Sequence, residues 1–398
     1  MKKALIPWAA WYGQEKFLLT FRDSWQVTMA EMEGGMDVGD TGIRKALAQP
    51  NGSPPLKKIA QGKKSVAILI DDLTRPTPSY RLLPYVIEEL KMAGIKEQQI
   101  RIIVALGAHR PLVRSDLIKK IGKELLNRIQ VLNHNAYDNL DFLGYSSRGI
   151  PIFINRDLMA CELKIALGTI TPREGFFGGG SKLLIPGACG HVTIMATHRH
   201  IADNFREHLD EVARIAGLDF IVNSLVNAEL EIMAIVAGEP TEAFHRGVQL
   251  GRVLYKTSMP QNVDVGIFNA FPKDTELLQA GMAFVPLESC SKPIFNSDPT
   301  LVITSASSEG LGWHTVYGPG TQLAEDYKFV KYRTIVFSPN VTKWDVQSEF
   351  GNSVLFYKSW SEVKDKLEQI HSSNCHVAVF PCASLQYGGG YEFKKECL

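Results

Sequence analysis

The sequence predicts an α/β protein of two α/β domains, each built on a mostly parallel β-sheet. The chain has 398 residues, of which 45% are hydrophobic and 21% are charged, enough for two sizeable cores. Short apolar runs typical of buried strands alternate with segments whose apolar residues recur at helical spacing. Alternation of this kind is typical of parallel sheets that helices cover on both faces.

Strand-like and helix-like segments alternate in the first two thirds of the chain. The predicted strands are 65–70, 100–106, 129–132, 150–155 and 163–170. Helices are predicted over 80–94 and over 117–126, the second capped by Ser115-Asp116. A further helix, with Asp203 as its cap, has one apolar face that consists of Phe205, Leu209, Val212 and Ile215.

A domain boundary is predicted near 258–262, which divides the chain into an N-terminal domain over 1–258 and a C-terminal domain over 259–398. The second part contains a helix-like segment from Asp274 to Met282 and another helix behind the capping box that begins at Ser359. Its predicted strands are 263–269, 300–312, 333–338 and 376–380.

Three of the predicted strands are followed by segments whose residues could bind a ligand or take part in catalysis. Asp71–Pro76 follows the first strand, Gly107–Arg110 follows the second, and the glycine-rich stretch TPREGFFGGGSKLLIPG (171–187) follows 163–170. Ligands of parallel sheets bind beyond the carboxyl ends of strands. We therefore expect these segments to converge on one edge of the sheet.

The glycine-rich stretch does not fit a nucleotide-triphosphate loop. Gly175 and Gly180 have the required spacing, but Ser181 precedes Lys182 instead of following it, and Pro186 stops any helix. Glycine backbone that approaches an anion, with a lysine beside it, is one interpretation. A glycine-rich turn with a solvated lysine is the other.

Composition excludes several classes of function. A net charge of +1 gives no basis for binding nucleic acid or an acidic membrane surface. The six cysteines form no C-x-x-C pair, so we expect neither a zinc site nor a disulfide framework, and reduced thiols in the cytoplasm are the expectation. No uninterrupted apolar run approaches the length of a membrane span, and we expect no cleaved signal peptide.

Four motifs occur in register along the chain. They are DDLTRPTP (71–78), LGAHRPL (106–112), GGGSKLLIPG (178–187) and the later His198. In their order and spacing they resemble the nickel-dependent lactate racemase family. The resemblance extends along most of the chain, through the supporting stretches 46–60, 149–170, 272–281 and 307–312.

The resemblance implies an active site in the cleft between two domains and a nickel-pincer nucleotide, which is a pyridinium-3,5-bisthiocarboxylic acid mononucleotide that holds nickel. By position, Lys182 matches the lysine that carries this cofactor covalently, and His198 matches the histidine that completes the nickel coordination. His200 is the alternative ligand. The other expected cofactor-binding residues are Thr74, Gly178, Gly179, Gly180 and Ser181.

The resemblance also implies a substrate site. Asp72 and Arg75 match the acidic and basic residues of the first active-site loop, and Arg75 suits a carboxylate that it grips with two hydrogen bonds. His109 matches one of the family's two acid/base histidines. Gln279 matches the glutamine of the second domain. The implied reaction is racemisation or epimerisation of a 2-hydroxy acid through a 2-keto acid.

Three positions depart from the family pattern. Arg173 stands where the second acid/base histidine is expected, and arginine stays charged, so it cannot be a general base. Met282 stands where the family has a lysine, and Leu278 where it has a tyrosine. Three explanations remain open: Glu174 is the second base, His200 or another residue fills this role, or the substrate differs from lactate and Arg173 binds its second anionic group.

Two other classes of function remain open beside the racemase. One is a degenerate homologue that binds the cofactor or nickel without turnover, and the other is a different reaction on the same fold. The expected partners are a small 2-hydroxy acid and the proteins that make the cofactor. A chain produced without those proteins is expected to be an apoprotein.

Overall fold

A computed structural model describes residues 1–173, 175–200, 205–321, 332–371 and 373–390, without the side chain of His200. Its strands are β1 Lys2–Trp8, β2 Glu15–Phe21, β3 Gln26–Met29, β4 Val66–Ile70, β5 Ile100–Val104, β6 Gln130–Asn133, β7 Leu140–Tyr145, β8 Pro151–Asn155, β9 Leu163–Thr169, β10 Thr171–Arg173, β11 Phe176–Gly178, β12 Phe220–Val226, β13 Ile232–Gly238, β14 Val263–Asn269, β15 Phe295–Thr304, β16 Arg333–Phe337, β17 Leu355–Tyr357 and β18 His376–Phe380.

The helices of the described residues are mostly short. They are α1 Gly39–Ala48, α2 Leu56–Ile59, α3 Ser79–Met92, α4 Arg114–Ile121, α5 Lys123–Leu126, α6 Arg156–Met159, α7 His191–His200, α8 Phe205–Ala216, α9 Pro240–Leu254, α10 Val285–Glu288, α11 Lys343–Phe350 and α12 Trp360–Ile370. None of these helices combines the length and the apolar character needed to cross a membrane.

The chain forms two compact units. Unit 1 contains Met1–Gly35, Thr171–Phe176 and the part from Arg252 onward, and unit 2 contains Met36–Ile170 and Phe177–Gly251. These bounds differ from the predicted 1–258 and 259–398, because the first 35 residues group with the C-terminal part. Strand β3 explains the difference, since it pairs in parallel with β18 across most of the chain.

Unit 1 is built on a sheet of six parallel strands in the order β17-β16-β15-β14-β18-β3. Successive strand residues face opposite sides: Leu301 and Ile303 belong to one buried cluster and Val302 to the other. The second cluster also contains Trp8 of β1 and Trp360 of α12. Both faces of the sheet are therefore covered, as the fold class predicts.

Unit 2 has a six-stranded sheet in the order β13-β12-β9-β4-β5-β6, parallel except for the edge strand β13. Every residue of β4 is buried, which is why its sequence VAILI is apolar without alternation. The predicted strands 65–70, 100–106 and 163–170 are confirmed as β4, β5 and β9.

Two predicted elements take a different form. The segment 150–155 forms β8, but it pairs antiparallel with β7 outside the large sheet, because a tight turn at Ser146–Gly149 lets it pair locally. No α-helix begins at Asp274. Its carboxylate accepts hydrogen bonds from the backbone of Ala9 and Ala10, at 2.8 and 3.1 Å, and a 3-10 helix starts only at Leu277.

Two predicted helix features also differ. Helix α4 begins at Arg114, and Asp116 acts from within its first turn by accepting a hydrogen bond from the Val113 backbone. On α8, Ile215 is 38% exposed, whereas Arg206 and Asp210 are buried. The polar side chains are buried there because the neighbouring glycine turn supplies their partners. The predicted cap Asp203 lies outside the described residues.

A buried histidine joins separate parts of unit 2. His134 is 4% exposed; its Nε2 donates to the Cys189 carbonyl at 3.0 Å, and its Nδ1 accepts from Asn155 at 3.2 Å. The side-chain Oδ1 of Asn155 in turn caps α6 by accepting a hydrogen bond from the Leu158 backbone. Burial lowers the pKa of His134 from 6.5 to about 4, so the imidazole is neutral in the folded chain.

This histidine predicts a pH dependence of stability. Between pH 6.5 and about 4 the unfolded chain protonates His134 and the folded chain does not, so the free energy of unfolding falls as the pH falls. The slope from this group is about 1.4 kcal/mol per pH unit, and the total loss is about 3 kcal/mol. Urea denaturation at several pH values should show a shallower slope for His134→Gln. Equal slopes in the two proteins would contradict the assignment.

Candidate active site

The parallel register of unit 2 brings the three predicted segments to one edge of the sheet. Ile70 at the end of β4 pairs with Val104 of β5 on one side and with Leu167 of β9 on the other. The segments that follow these strands therefore leave the sheet side by side. They also touch, since the Gly107 backbone donates to the Gly187 carbonyl at 2.8 Å. The predicted convergence is confirmed within this unit.

The loop after β4 is organised around the carboxylate of Asp72. Its Oδ1 accepts hydrogen bonds from the backbone and the hydroxyl of Thr74, at 2.9 and 2.5 Å. The Arg75 Nη1 donates to the same hydroxyl at 2.7 Å. On the other side, the Asp72 Oδ2 lies 3.5 Å from Nδ1 of His109. Four of the predicted site residues thus form one group.

The charge of Asp72 is set by opposing effects. Burial alone would raise its pKa, but His109, Arg75 and the Thr74 hydrogen bond outweigh burial and hold the pKa below its usual range. The carboxylate is therefore ionised at neutral pH. An ionised carboxylate beside an imidazole orients the ring and stabilises it when it takes up a proton.

The glycine-rich turn has a local structural reason. Gly179 and Gly180 have φ of 110° and 58°, a region that favours glycine. A Cβ on Gly179 would lie 2.9 Å from the Ile170 side chain, and one on Gly180 would lie 2.9 Å from the Phe244 ring. The structure therefore requires these glycines for the close approach of the chain to itself.

Buried polar side chains hold this turn in place. Both terminal nitrogens of Arg206 donate to the Gly179 carbonyl at 3.2 and 3.1 Å, and its guanidinium lies over the Phe244 ring. Asn223 of β12 accepts from the Gly180 backbone at 2.8 Å. The Ser181 hydroxyl is fully buried and donates to Asp210 at 2.9 Å, so Ser181 serves the turn.

Lys182 and His198 lie close enough to interact electrostatically. Burial lowers the pKa of His198, and the charge of Lys182 lowers it further, so the imidazole is neutral. The His198 Nδ1 lies 2.7 Å from the Ile194 carbonyl. A carbonyl oxygen only accepts, so Nδ1 carries the proton and Nε2 carries the lone pair. Metal-binding histidines have this arrangement, with the second ring nitrogen donating to a carbonyl.

The residues present fit a cofactor that brings its own metal ligands. His198 on α7 supplies one neutral nitrogen, and Lys182 supplies an amine within electrostatic range of it. Among the described residues, no group of three or more His, Cys, Asp or Glu side chains is arranged to hold a metal ion.

The remaining predicted residues are distributed as follows. Arg173 and Gln279 belong to unit 1, where the Arg173 Nη1 lies 2.7 Å from Sδ of Met282. Gln279 is 8% exposed and lies on the 3-10 helix that begins directly after the buried Glu276. Glu174 lies outside the described residues, as does the side chain of His200.

Comparisons with known proteins agree with the motifs. A profile of the lactate racemase N-terminal domain matches residues 12–210. The chain belongs to the lactate racemase family. The lactate racemase of Lactiplantibacillus plantarum is 28% identical over 294 residues, which are 69% of this chain and 68% of that protein. The lactate racemase of Thermoanaerobacterium thermosaccharolyticum is 25% identical over 292 residues, 69% of this chain and 67% of that protein.

Solved structures agree with this lactate racemase fold. The lactate racemase apoprotein from Thermoanaerobacterium thermosaccharolyticum superimposes with a TM-score of 0.75 at 21% identity, over 97% of this chain and 99% of that chain. A crystal structure of a Thermotoga maritima protein gives a TM-score of 0.63 at 15% identity, over 89% of this chain and 99% of that chain. At these identities the two matches show the fold.

Several residues of this lactate racemase homologue escape the sequence analysis. Lys120 is completely buried against Asp71, although its position on an amphipathic helix suggests solvent. Arg206, Asp210 and Asn223 hold the glycine turn from elements that lie far along the chain. The only local signal is the pair Arg206 and Asp210, which is spaced four apart on one helix.

The hold of Arg206 on the glycine turn predicts a large effect on stability. Arg206→Met keeps the apolar stem but removes two hydrogen bonds to Gly179 and the contact with the Phe244 ring. We expect the free energy of unfolding to fall by about 2–4 kcal/mol. Arg214→Met, at an exposed position of the same helix, is the control and should change it by less than about 0.5 kcal/mol. Urea denaturation of both variants tests this, and a loss no larger than the control's would contradict it.

Proposed function

We propose that this member of the lactate racemase family is a racemase or epimerase of 2-hydroxy acids, with a nickel-pincer nucleotide carried covalently by Lys182. The observation that carries the proposal is the tautomer of His198, which lies within electrostatic range of Lys182. Its Nδ1 is engaged by the Ile194 carbonyl, so Nε2 is the nitrogen that would bind nickel. When bound, the cofactor supplies an acceptor and donor for the hydride at C2 of the substrate.

The chain's own residues bind the substrate and move its hydroxyl proton. Arg75 binds the carboxylate that every 2-hydroxy acid carries. His109 takes the hydroxyl proton as the 2-keto acid forms and returns it afterwards. Asp72, 3.5 Å from the His109 Nδ1, orients the ring and stabilises its protonated form. Gln279 is a further proposed polar contact to the substrate. No net oxidant is needed, because hydride and proton both return.

The glycine-rich turn is proposed to contact the nucleotide, in addition to carrying Lys182. Backbone nitrogens of Gly178 and Gly179 are the proposed contacts for the nucleotide. Gly180 and Thr74 act indirectly, because the Gly180 nitrogen donates to Asn223 and the Thr74 hydroxyl donates to Asp72. Ser181 acts indirectly, since its hydroxyl is committed to Asp210. The proteins that make the cofactor are the proposed partners, in the cytoplasm, and we propose no role for nucleic acid or a membrane.

The substrate is proposed to differ from lactate. Arg173 cannot be a general base, so Glu174 or His200 is the second proton carrier, or Arg173 binds a second anionic group of the substrate. The contact between the Arg173 Nη1 and the Met282 sulfur supports the last explanation. It places a permanent positive charge beside the turn that carries Gln279, next to an apolar side chain. A larger 2-hydroxy acid with a second anionic group suits these two side chains.

Cofactor attachment is the first prediction of this proposal. Protein produced together with the cofactor-making proteins should have added mass and about one nickel per chain. The reason is that each chain has one proposed attachment lysine, Lys182, and one proposed nickel ligand, His198. Lys182→Arg should abolish the added mass. Lys164→Arg, on β9 of the same unit, is the control and should keep it. His198→Ala should keep the mass and lose most of the nickel. Intact mass spectrometry and metal analysis measure both quantities.

The outcomes separate the three classes of function. Added mass, nickel and turnover that His109→Gln lowers by about 10²–10⁴-fold support the racemase. Added mass and nickel without turnover on any 2-hydroxy acid indicate a binding protein. Neither mass nor nickel would contradict the proposal and favour another reaction on this fold.

Substrate choice is the second prediction. In the variant Arg173→His, a titratable base takes the position that the family pattern assigns to it, and the permanent positive charge proposed to bind the second anionic group is lost. We expect the ratio of kcat/KM for lactate to that for a 2-hydroxy diacid to rise by at least about tenfold, as expected when one charged contact changes. Leu287→Met, a partly buried substitution elsewhere in unit 1, is the control. Efficient racemisation of lactate by the unaltered protein, and of nothing larger, would contradict the substrate proposal.

A further inference from the structure

Lys120 is a buried cation in the immediate surroundings of the candidate site. Its side chain is 0% exposed, and its Nζ lies 2.6 Å from Oδ1 of Asp71. The same Nζ donates to the backbone carbonyl of Arg75 at 3.1 Å. One ammonium group of helix α4 therefore contacts the first residue of the loop and the residue whose side chain is proposed to bind the substrate.

The loop is fixed at both ends through this arrangement. Asp71 uses its second carboxylate oxygen, Oδ2, to accept a hydrogen bond from the Thr77 hydroxyl at 2.5 Å. The Lys120 ammonium contacts both Asp71 and the carbonyl of Arg75, and so links the first residue of the loop to its fifth. Between these points, Thr74 directs its hydroxyl to Asp72 and receives the guanidinium of Arg75.

Stability alone is a weak reason for such a pair. Burial raises the pKa of Asp71 and lowers that of Lys120, and each charge partly offsets the shift of the other. Buried ion pairs often contribute no more to stability than an apolar pair of similar volume, because desolvation opposes their attraction. Unlike an apolar pair, this ion pair provides directional hydrogen bonds, which fix the geometry of the loop.

We propose that Lys120 is a positioning residue, which fixes the loop from Asp71 to Thr77 so that Arg75 is held ready to bind a substrate carboxylate. The role of Arg75 in this statement rests on the proposed function, whereas the ordering of the loop does not. Lys120 acts through the backbone of Arg75 and through Asp71. It takes no part in proton or hydride transfer.

The test uses a double variant, because Lys120→Met alone leaves a buried carboxylate unpaired and is expected to unfold more easily. In Lys120→Met with Asp71→Asn, both charges are absent, and the new amide oxygen still accepts from the Thr77 hydroxyl. The Arg75 carbonyl has then lost its donor. Lys119→Met, the adjacent lysine on α4, is the matched control.

Two quantities are measured on the full-length proteins, each produced together with the cofactor-making proteins. The first is amide hydrogen exchange in peptides that cover residues 71–79, which contain the hydrogen-bonded amides of Thr74 and Arg75. We expect exchange there to be at least about tenfold faster in the double variant, with the rest of unit 2 unchanged. The second is kcat and KM for the 2-hydroxy acid that the unaltered protein turns over fastest. KM should rise more than kcat falls.

The outcomes decide the proposal and its basis separately. Faster exchange confined to residues 71–79, with a raised KM, supports the positioning role. Unchanged exchange in that segment, or faster exchange throughout unit 2, overturns it. If the unaltered protein turns over no 2-hydroxy acid, the proposed function fails, while the exchange result still decides whether Lys120 orders the loop.

Discussion

The parallel register of β4, β5 and β9 is the constraint on which the candidate site depends. Ile70 is hydrogen-bonded in register with Val104 and Leu167, so the segments that follow these three strands must leave the sheet together. None of the three carries a complete site. Asp72 comes from the first and His109 from the second, and Lys182 comes from the third, so their combination exists only when the sheet has formed.

Once these segments meet, their charges must be satisfied away from water. Asp71, Asp72 and Lys120 are buried together, and each has an opposite charge or a hydroxyl within hydrogen-bonding distance. The ionisable groups of unit 2 are held in different states: Asp72 is charged, whereas His198 is neutral. A charged carboxylate suits the orientation of a base, and a neutral imidazole suits metal binding. The electrostatics of unit 2 thus fits the roles that the motifs suggest.

The sequence predicts the elements that depend on neighbouring residues along the chain. It fails to predict burial and pairing that depend on residues distant in sequence. Apolar runs gave β4, β5 and β9 to within two residues, and the capping box at Ser359 is confirmed. On α8, Leu209 and Val212 are buried as predicted, whereas Ile215 is exposed. Arg206 is buried beside them because it donates to the carbonyl of Gly179, a partner that helical periodicity cannot reveal. The grouping of the first 35 residues depends on β3, which pairs with a strand about 350 positions later. Lys120 was missed for the same reason, since its partner Asp71 lies on another element.

A glycine-rich run before a lysine indicates a ligand less strongly than its composition suggests. Gly179 and Gly180 are required by positive φ and by close contacts with Ile170 and Phe244, which any tight turn could demand. The stronger indication comes from the groups around them. A guanidinium, an amide and a carboxylate are buried to hold a turn of four residues, at a cost in desolvation that a plain connection would not need. These buried polar groups, together with the tautomer of His198 in which Nε2 keeps its lone pair, are the features that a simple turn would not need.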